Sequence, residues 1–363
     1  MIQTPTLLVD EEICRSNIRA MADKARLNKV IFRPHFKTHQ SHEIGNWFRE
    51  EGVDCITVSS LKMAQYFAED GWRDITVAFP ANVLEMDRIN ELARSITLNL
   101  VVESTDTVIG LAKGLKSPIN LYIKLDIGYH RTGVSPDDDD EIIRIFEETG
   151  QNELLTMKGI LGHAGHSYAA LNEKEIARIH EDSIDIITGV EKKYSDRYPE
   201  LIVSIGDTPT CSVMEDFSRV DEIRPGNFVF YDVTQRQIGS CTSKQITVAM
   251  ACPVVALHAE RNEIVIYGGG VHFSRDLLNH PKYGTIYGLV VEDVGEKWGA
   301  LVEDVFLSRI SQEHGTIHAP ANYIDQIQVG DVIKILPVHS CMTADLHSVY
   351  LTTDGREISR IRH

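Results

Sequence analysis

Up to about residue 240, this 363-residue chain repeats one local pattern: a short apolar or β-branched run, then a stretch with apolar residues at helical spacing. The runs fall at residues 6–10, 30–32, 55–60, 75–79, 96–102, 120–125, 157–161 and 201–205. Helical stretches follow at 11–27, from Ser41, at 61–70, at 83–94, from Ser104, at 137–149 and at 172–194. Glu11 and Glu12 stand where a helix N-terminus favours negative charge, and Gly71 ends the third helix. Eight strand–helix alternations in roughly 230 residues predict a parallel (β/α)8 barrel.

Beyond residue 240 the pattern changes. Short alternating stretches at 245–250, 254–258, 263–267, 287–291, 300–308, 331–336 and 348–352 are separated by Gly, Asn and Asp, with no long helical pattern between them. That predicts an all-β domain. The expected organisation is a barrel over residues 1–240 and a β domain over 241–363. Gly268-Gly269-Gly270 reads as a turn with unusual backbone angles.

Charge narrows the function. Lys and Arg number 36 against 53 Asp and Glu, a net charge of −17. Such a surface repels nucleic acid and anionic membranes, and a small anionic ligand would need its own pocket of donors. No run approaches the ~18 apolar residues of a membrane span, and the opening Met-Ile-Gln-Thr-Pro-Thr lacks the basic and apolar regions of a signal peptide. The expected compartment is the cytoplasm. Cys14, Cys55, Cys211, Cys241, Cys252 and Cys341 show no paired spacing, which fits reduced thiols rather than a disulfide framework.

The chemistry centres on Phe32-Arg33-Pro34-His35-Phe36-Lys37-Thr38-His39. Val30 and Ile31 run into it, so Lys37 is expected at the C-terminal end of a short buried strand, the end where barrels carry their chemistry. Two aromatic rings and two imidazoles around it suggest partial desolvation, which favours a neutral amine able to attack a carbonyl. That is a Schiff-base lysine; the plain alternative is a solvated lysine in a basic loop.

Other strand ends add polar residues to the same mouth. Asp126-Ile-Gly-Tyr-His-Arg131-Thr-Gly133 offers Arg131 to an anionic oxygen, or to a loop salt bridge. Gly159-Ile-Leu-Gly-His163-Ala-Gly-His166-Ser-Tyr168 offers a planar ring at His163. Ser204-Ile-Gly206-Asp-Thr208-Pro-Thr210 brings small residues whose backbone N–H groups can cradle a phosphate, or form a plain turn. Arg224-Pro-Gly226-Asn227 offers a second exposed backbone pair.

Together and in this order, these motifs resemble the fold-type III pyridoxal 5'-phosphate (PLP) enzymes, the group of alanine racemase and the D-serine dehydratase and D-threonine aldolase family. The resemblance runs the whole chain and implies an alanine racemase-like α/β barrel followed by a C-terminal all-β domain. It implies that Lys37 is the Schiff-base and catalytic lysine, that Arg131 lies near the cofactor's phenolic oxygen and that His163 stacks on the pyridine. Gly206, Thr208, Gly226 and Asn227 would hold the phosphate, and Tyr168 would contact the cofactor. Alanine racemases place an arginine at the position of Arg224 against the ring nitrogen.

Pro337-Val-His339-Ser-Cys341-Met-Thr343-Ala-Asp345 selects the branch. On a strand, residues i and i+2 share a side, so His339 and Cys341 could grip one ion and leave positions open for substrate and water. The motif resembles the His-x-Cys-x-Thr zinc motif of the D-serine dehydratase branch. Ile266-Tyr267-Gly268-Gly269 departs from that branch, where an Asp is expected before the glycine. The implied enzyme is a PLP- and zinc-dependent lyase of D-3-hydroxy amino acids, with D-serine dehydration favoured and D-threonine retro-aldol cleavage its alternative. Racemisation and cofactor binding without turnover are the remaining readings. The resemblance also implies a homodimer with active sites at the interface.

Overall fold

The computed structural model describes residues 2–361. Two compact units are present: Arg19–Gly226, and a second that joins the residues up to Ile18 with those from Asn227 onward. The division therefore falls earlier than residue 240, and the first strand crosses to the other unit.

Arg19–Gly226 is a barrel. Its strands are β2 (Ile31–Phe32), β3 (Cys55–Val58), β4 (Asp74–Pro80), β5 (Thr97–Val102), β6 (Ile119–Lys124), β7 (Leu155–Leu161), β8 (Ile202–Ile205) and β9 (Glu222–Ile223). They lie parallel in the order β2-β9-β8-β7-β6-β5-β4-β3. The last gap is closed by a parallel bridge between His35 and Thr57, where Phe36 N–H donates to Thr57 O at 2.8 Å and Thr57 N–H to Pro34 O at 2.9 Å. The segment that carries Lys37 is thus the seam of the barrel.

Helices α2 (His42–Glu50), α3 (Leu61–Glu69), α4 (Met86–Ala93), α5 (Thr105–Gly114), α6 (Asp139–Gly150) and α7 (Glu173–Tyr194) follow successive strands, and α8 (Thr208–Val213) follows β8. Their starts are set by short polar side chains: Ser60, Ser104, Asp138 and Asn172 each accept from a backbone N–H three residues on. No helix among the described residues is long and apolar enough to cross a membrane.

Two strand assignments are corrected. The run at 6–10 forms β1 (Thr6–Val9), which pairs antiparallel with β10 (Val248–His258) and parallel with Val349–Thr352 in the other unit. Leu7, Leu8 and Val9 are all buried there, as they would be in a barrel strand, so the hydrophobic run alone could not choose the sheet. The eighth barrel strand is β9, a two-residue strand that contains Glu222 and has no readable period. The lysine strand also differs from expectation: it is two residues long and Ile31 is 40% exposed.

In the second unit β10 is the axis. It pairs with β1 at one end, with Val332–Pro337 along its middle and with Glu263–Tyr267 at the other end, with a register shift between Val254 and Ala256. From Val332–Pro337 the sheet continues through Gly288–Val294, Lys297–Ile310 and His314–His318 back to Glu263–Tyr267, closing a ring of six antiparallel strands. This is the all-β region expected after residue 240.

The barrel interior is tied by one polar chain. Arg33 Nε donates to Glu222 at 2.6 Å and its two Nη atoms to Asp74 at 2.7 and 3.1 Å. Asn99 donates to Asp74 at 2.7 Å, and Asn120 to Asn99 at 2.8 Å. On the other side Ser204 Oγ donates to Glu222 at 2.5 Å and accepts from Arg224 Nε at 2.6 Å. Glu222 is wholly buried, so removing its main partner leaves a charge in a medium that solvates it poorly. Arg33→Met is expected to lower unfolding stability by about 3–5 kcal/mol, read by urea denaturation; a loss below about 1 kcal/mol would show that the pair does not hold the seam.

Candidate active site

Between Arg33 and Ser41 the only exposed residue is Lys37. Phe36 anchors the segment from below, with its ring packed among Phe48, Phe67 and Trp72 at centroid distances of 4.9, 5.0 and 5.1 Å. Thr38, His39, Gln40 and Ser41 are buried as well. The expected desolvation of Lys37 is therefore corrected: aromatic burial falls on its neighbours and delivers the lysine to the open mouth.

Charge gathers around it. His35 lies well below the ordinary imidazole value, first through burial and then through Lys37, Arg224, His163 and Arg131, every one a cation or potential cation. His163 is pushed down to about 3, again by burial first, with Lys37, Lys124 and Arg224 adding to it against a hydrogen bond to Gly206. Burial, with Arg224 close by, brings Lys124 down to about 7. The mouth of this barrel thus concentrates positive groups in a chain whose net charge is −17. The two imidazoles are neutral at pH 7. His163 Nδ1–H donates to Gly206 O at 2.8 Å, which fixes the tautomer and the plane of an uncharged ring.

The small-residue motifs bring backbones together. A Cβ on Gly206, whose φ is +158°, would stand 2.4 Å from Arg224 N, and one on Gly226 would stand 2.8 Å from His35 O. Glycine is thus required for the turn after β8 to meet the arginine segment, and for that segment to meet the lysine motif. Thr208 N–H donates to Tyr168 Oη at 3.1 Å, so Gly206, Thr208 and Tyr168 form one wall. Asp207 caps α8, accepting from Thr210 N at 2.9 Å and from Ser167 Oγ at 2.7 Å. Arg224 is buried, with Nη2 donating to Gly162 O at 2.6 Å and Ser204 O at 3.2 Å. Arg131 is exposed and lies over the Tyr129 ring, 4.9 Å from its centroid.

These residues suit PLP. Cationic side chains and backbone N–H groups match a phosphate and a phenolate, a neutral imidazole face matches a flat ring, and an exposed lysine matches an aldehyde.

In the β unit the His339–Cys341 pair is not on a strand. The strand ends at Pro337; His339 caps a short helix, Ser340–Asp345, and Cys341 lies in its first turn. The side chains still meet, for Cys341 is within hydrogen-bonding range of the His339 ring. His339 Nδ1 is 2.6 Å from Asp276 Oδ2. Burial opposes a charged ring there, while Asp276 and Cys341 favour it, so a cation bound at Nε2 would displace a proton. Asn227, expected at the phosphate, turns its amide toward this corner, where Nδ2 donates to Asp232 at 2.8 Å, Ser340 Oγ at 2.9 Å and Cys341 Sγ at 3.3 Å. No group of three or more metal-binding side chains is gathered among the described residues. An imidazole and a thiol within reach of each other are nonetheless a donor pair that suits zinc.

Sequence reasoning missed Lys124, the capping role of Asp207, and Asp276. Lys124 had a signal, a lysine inside the apolar run Leu121-Tyr-Ile-Lys-Leu125; Asp276 had none.

Comparison with known proteins shows the family and the fold. The family described as "Alanine racemase, N-terminal domain" matches residues 9–233, and that described as "Putative serine dehydratase domain" matches residues 247–353. The D-serine dehydratase of Dictyostelium discoideum is 29% identical over 96% of this chain and 93% of its own length. The D-threo-3-hydroxyaspartate dehydratase of Delftia sp. is 27% identical over 98% of this chain and 95% of its own. A solved structure of D-threo-3-hydroxyaspartate dehydratase, a cysteine-to-alanine variant in the metal-free form, superposes with a TM-score of 0.92 at 26% identity, covering 100% of this chain and 98% of that one.

Burial raises Asp207 to about 6, above the ordinary carboxylate value. A raised carboxyl stabilises the fold fully below its unfolded pKa, about pH 4, and loses that contribution as pH rises through the folded value. Asp207→Asn keeps an oxygen for the cap but cannot ionise. Between pH 4 and 7 the wild type should therefore lose melting temperature relative to Asp207→Asn; parallel profiles would show that Asp207 is not the group responsible.

Proposed function

The chain belongs to the alanine racemase N-terminal domain family, in its D-serine dehydratase and D-threonine aldolase branch, and from that premise we propose that it is a PLP- and zinc-dependent lyase which converts D-serine to pyruvate and ammonia. The observation that carries the reading is the cationic barrel mouth around an exposed Lys37 in an acidic protein. Bound PLP supplies an electron sink for the negative charge left at Cα when a bond to that carbon breaks.

Lys37 would hold the cofactor through Nζ. Gly206, Thr208, Tyr168, Gly226 and the backbone of Asn227 would seat its phosphate, with His163 against its ring and Arg131 near its phenolic oxygen. Arg224, buried and pulled down to about 10 by desolvation, remains a cation at neutral pH and keeps the mouth positive. With its amine free, Lys37 Nζ would take the Cα proton. One base on one face accounts for selection of one enantiomer. Loss of hydroxide from Cβ is the hard step, since hydroxide is a poor leaving group. His339 and Cys341 would hold the divalent metal, which supplies Lewis acidity at the departing oxygen. We place the enzyme in the cytoplasm as a homodimer.

Two measurements test this. Borohydride reduction of the yellow holoenzyme followed by peptide mapping should place the cofactor on Lys37, and label on any other lysine would sink the assignment. Chelation or Cys341→Ala should cut pyruvate formation from D-serine roughly 100-fold or more while the visible cofactor band persists. D-Threonine assayed in parallel for aldehyde shows which bond is broken. Equal turnover without metal, or activity confined to L-isomers, would overturn the reading.

A further inference from the structure

Because the His339–Cys341 pair starts a helix, strand alternation does not aim its two side chains, and another group must orient the imidazole. We propose that Asp276 is that positioning residue: its carboxylate fixes His339 Nδ1–H, so that Nε2 and Cys341 Sγ face one divalent cation. This rests on the reading of His339 and Cys341 as the metal pair.

The contact is short and directional, with Asp276 Oδ2 2.6 Å from His339 Nδ1. A neutral imidazole carries one proton and one lone pair, so a carboxylate on Nδ1 places the proton there and the lone pair on Nε2. The same pairing keeps the ring from rotating and makes its free nitrogen a stronger donor.

Asp276 is itself held in place. Its backbone N–H donates to Ser274 Oγ at 3.2 Å. Ser274 is buried and adopts φ 72°, ψ −176°, a conformation that belongs almost wholly to glycine. A strained residue persists only where its surroundings fix it, and here the ties lead to the ligand helix. Thr343 Oγ1, in the helix that holds Cys341, donates to Phe273 O at 2.8 Å. The His347 ring, just beyond that helix, bonds to His272 O at 3.0 Å. The two residues before Ser274 are thereby fastened to the element that carries the thiol. On the other side Asn227 Nδ2 donates to Cys341 Sγ, as a thiolate ligand would accept. Each member of the pair thus has its own partner: an acceptor for the imidazole and a donor for the sulfur.

The test is Zn²⁺ affinity of the full-length holoenzyme, measured by competition with a chromophoric chelator, with Co²⁺ absorption as a second readout. Asp276→Ala should weaken Zn²⁺ binding about 10–100-fold, whereas Asp276→Asn, whose side-chain oxygen can still accept from Nδ1–H, should recover part of that loss. With Co²⁺, the sulfur-to-metal band should survive in both variants, because Cys341 still binds, while the weaker ligand-field bands shift in Asp276→Ala. The visible cofactor band and the melting temperature report whether the fold is intact. If Asp276→Ala does not fold, Asp276→Asn decides: wild-type affinity together with unchanged Co²⁺ ligand-field bands overturns the assignment. Should Asp276→Ala keep wild-type affinity while Cys341→Ala loses it, the positioning role falls and the metal pair stands. If Cys341→Ala binds Zn²⁺ as well as wild type, both fall.

Discussion

The Arg33 guanidinium between Glu222 and Asp74 is the contact on which the barrel depends. β2 pairs with β9 over only two residues, Ile31 with Glu222 and Phe32 with Ile223, and the gap to β3 is spanned by the single His35–Thr57 bridge, which is little ladder to close a sheet of eight strands. Side chains complete the closure. A planar fork with five donors reaches β9 and β4 together, and Asn99, Asn120 and Ser204 carry the chain on to β5, β6 and β8. A buried ion pair need not add net stability over a well-packed apolar cluster, but it penalises any register that leaves a charge unpaired. That specificity matters here because the residues after Arg33 form the seam and then present Lys37.

The functional mouth inverts the charge of the molecule. At −17 the chain would repel a phosphate from most of its surface, so binding of an anion depends on local concentration of cations. Lys37, Lys124, Arg131 and Arg224 supply it from separate strand ends. Their mutual field also decides what the histidines are: buried among cations, His35 and His163 remain uncharged, and a neutral imidazole can lie against a flat ring without competing for the phosphate. Gly206 and Gly226 let these segments approach more closely than any side chain would allow.

The β unit solves a different problem, that of orienting two soft donors at the start of a short helix. Its means are a carboxylate and an amide drawn from elsewhere in the unit, Asp276 and Asn227, with the strained Ser274 held by ties to the ligand helix. In the proposed metal site, orientation by these groups would leave the open sides of the pair to substrate and solvent. A cage of further ligands would close them.

The local parts of this protein were legible in its sequence. Strand and helix alternation, the helix starts at Ser104 and Asn172, and the close backbone turns at Gly206 and Gly226 all depend on residues a few positions apart, and periodicity or turn chemistry records them. What tertiary structure alone decided is every choice of distant partner. Leu7-Leu8-Val9 suits any buried strand, and only the pairing with Val248–His258 places it outside the barrel. Glu222 reads as a surface charge until Arg33 is found 189 positions away. His339 and Cys341 were visible as a pair, but the strand expected to align them ends at Pro337, and Asp276 lies 63 residues before His339. Local patterns follow from backbone sterics and burial at one element; the partner of a buried charge or of a ligand histidine follows from which segments the folded chain brings into contact, and no spacing in the sequence encodes that.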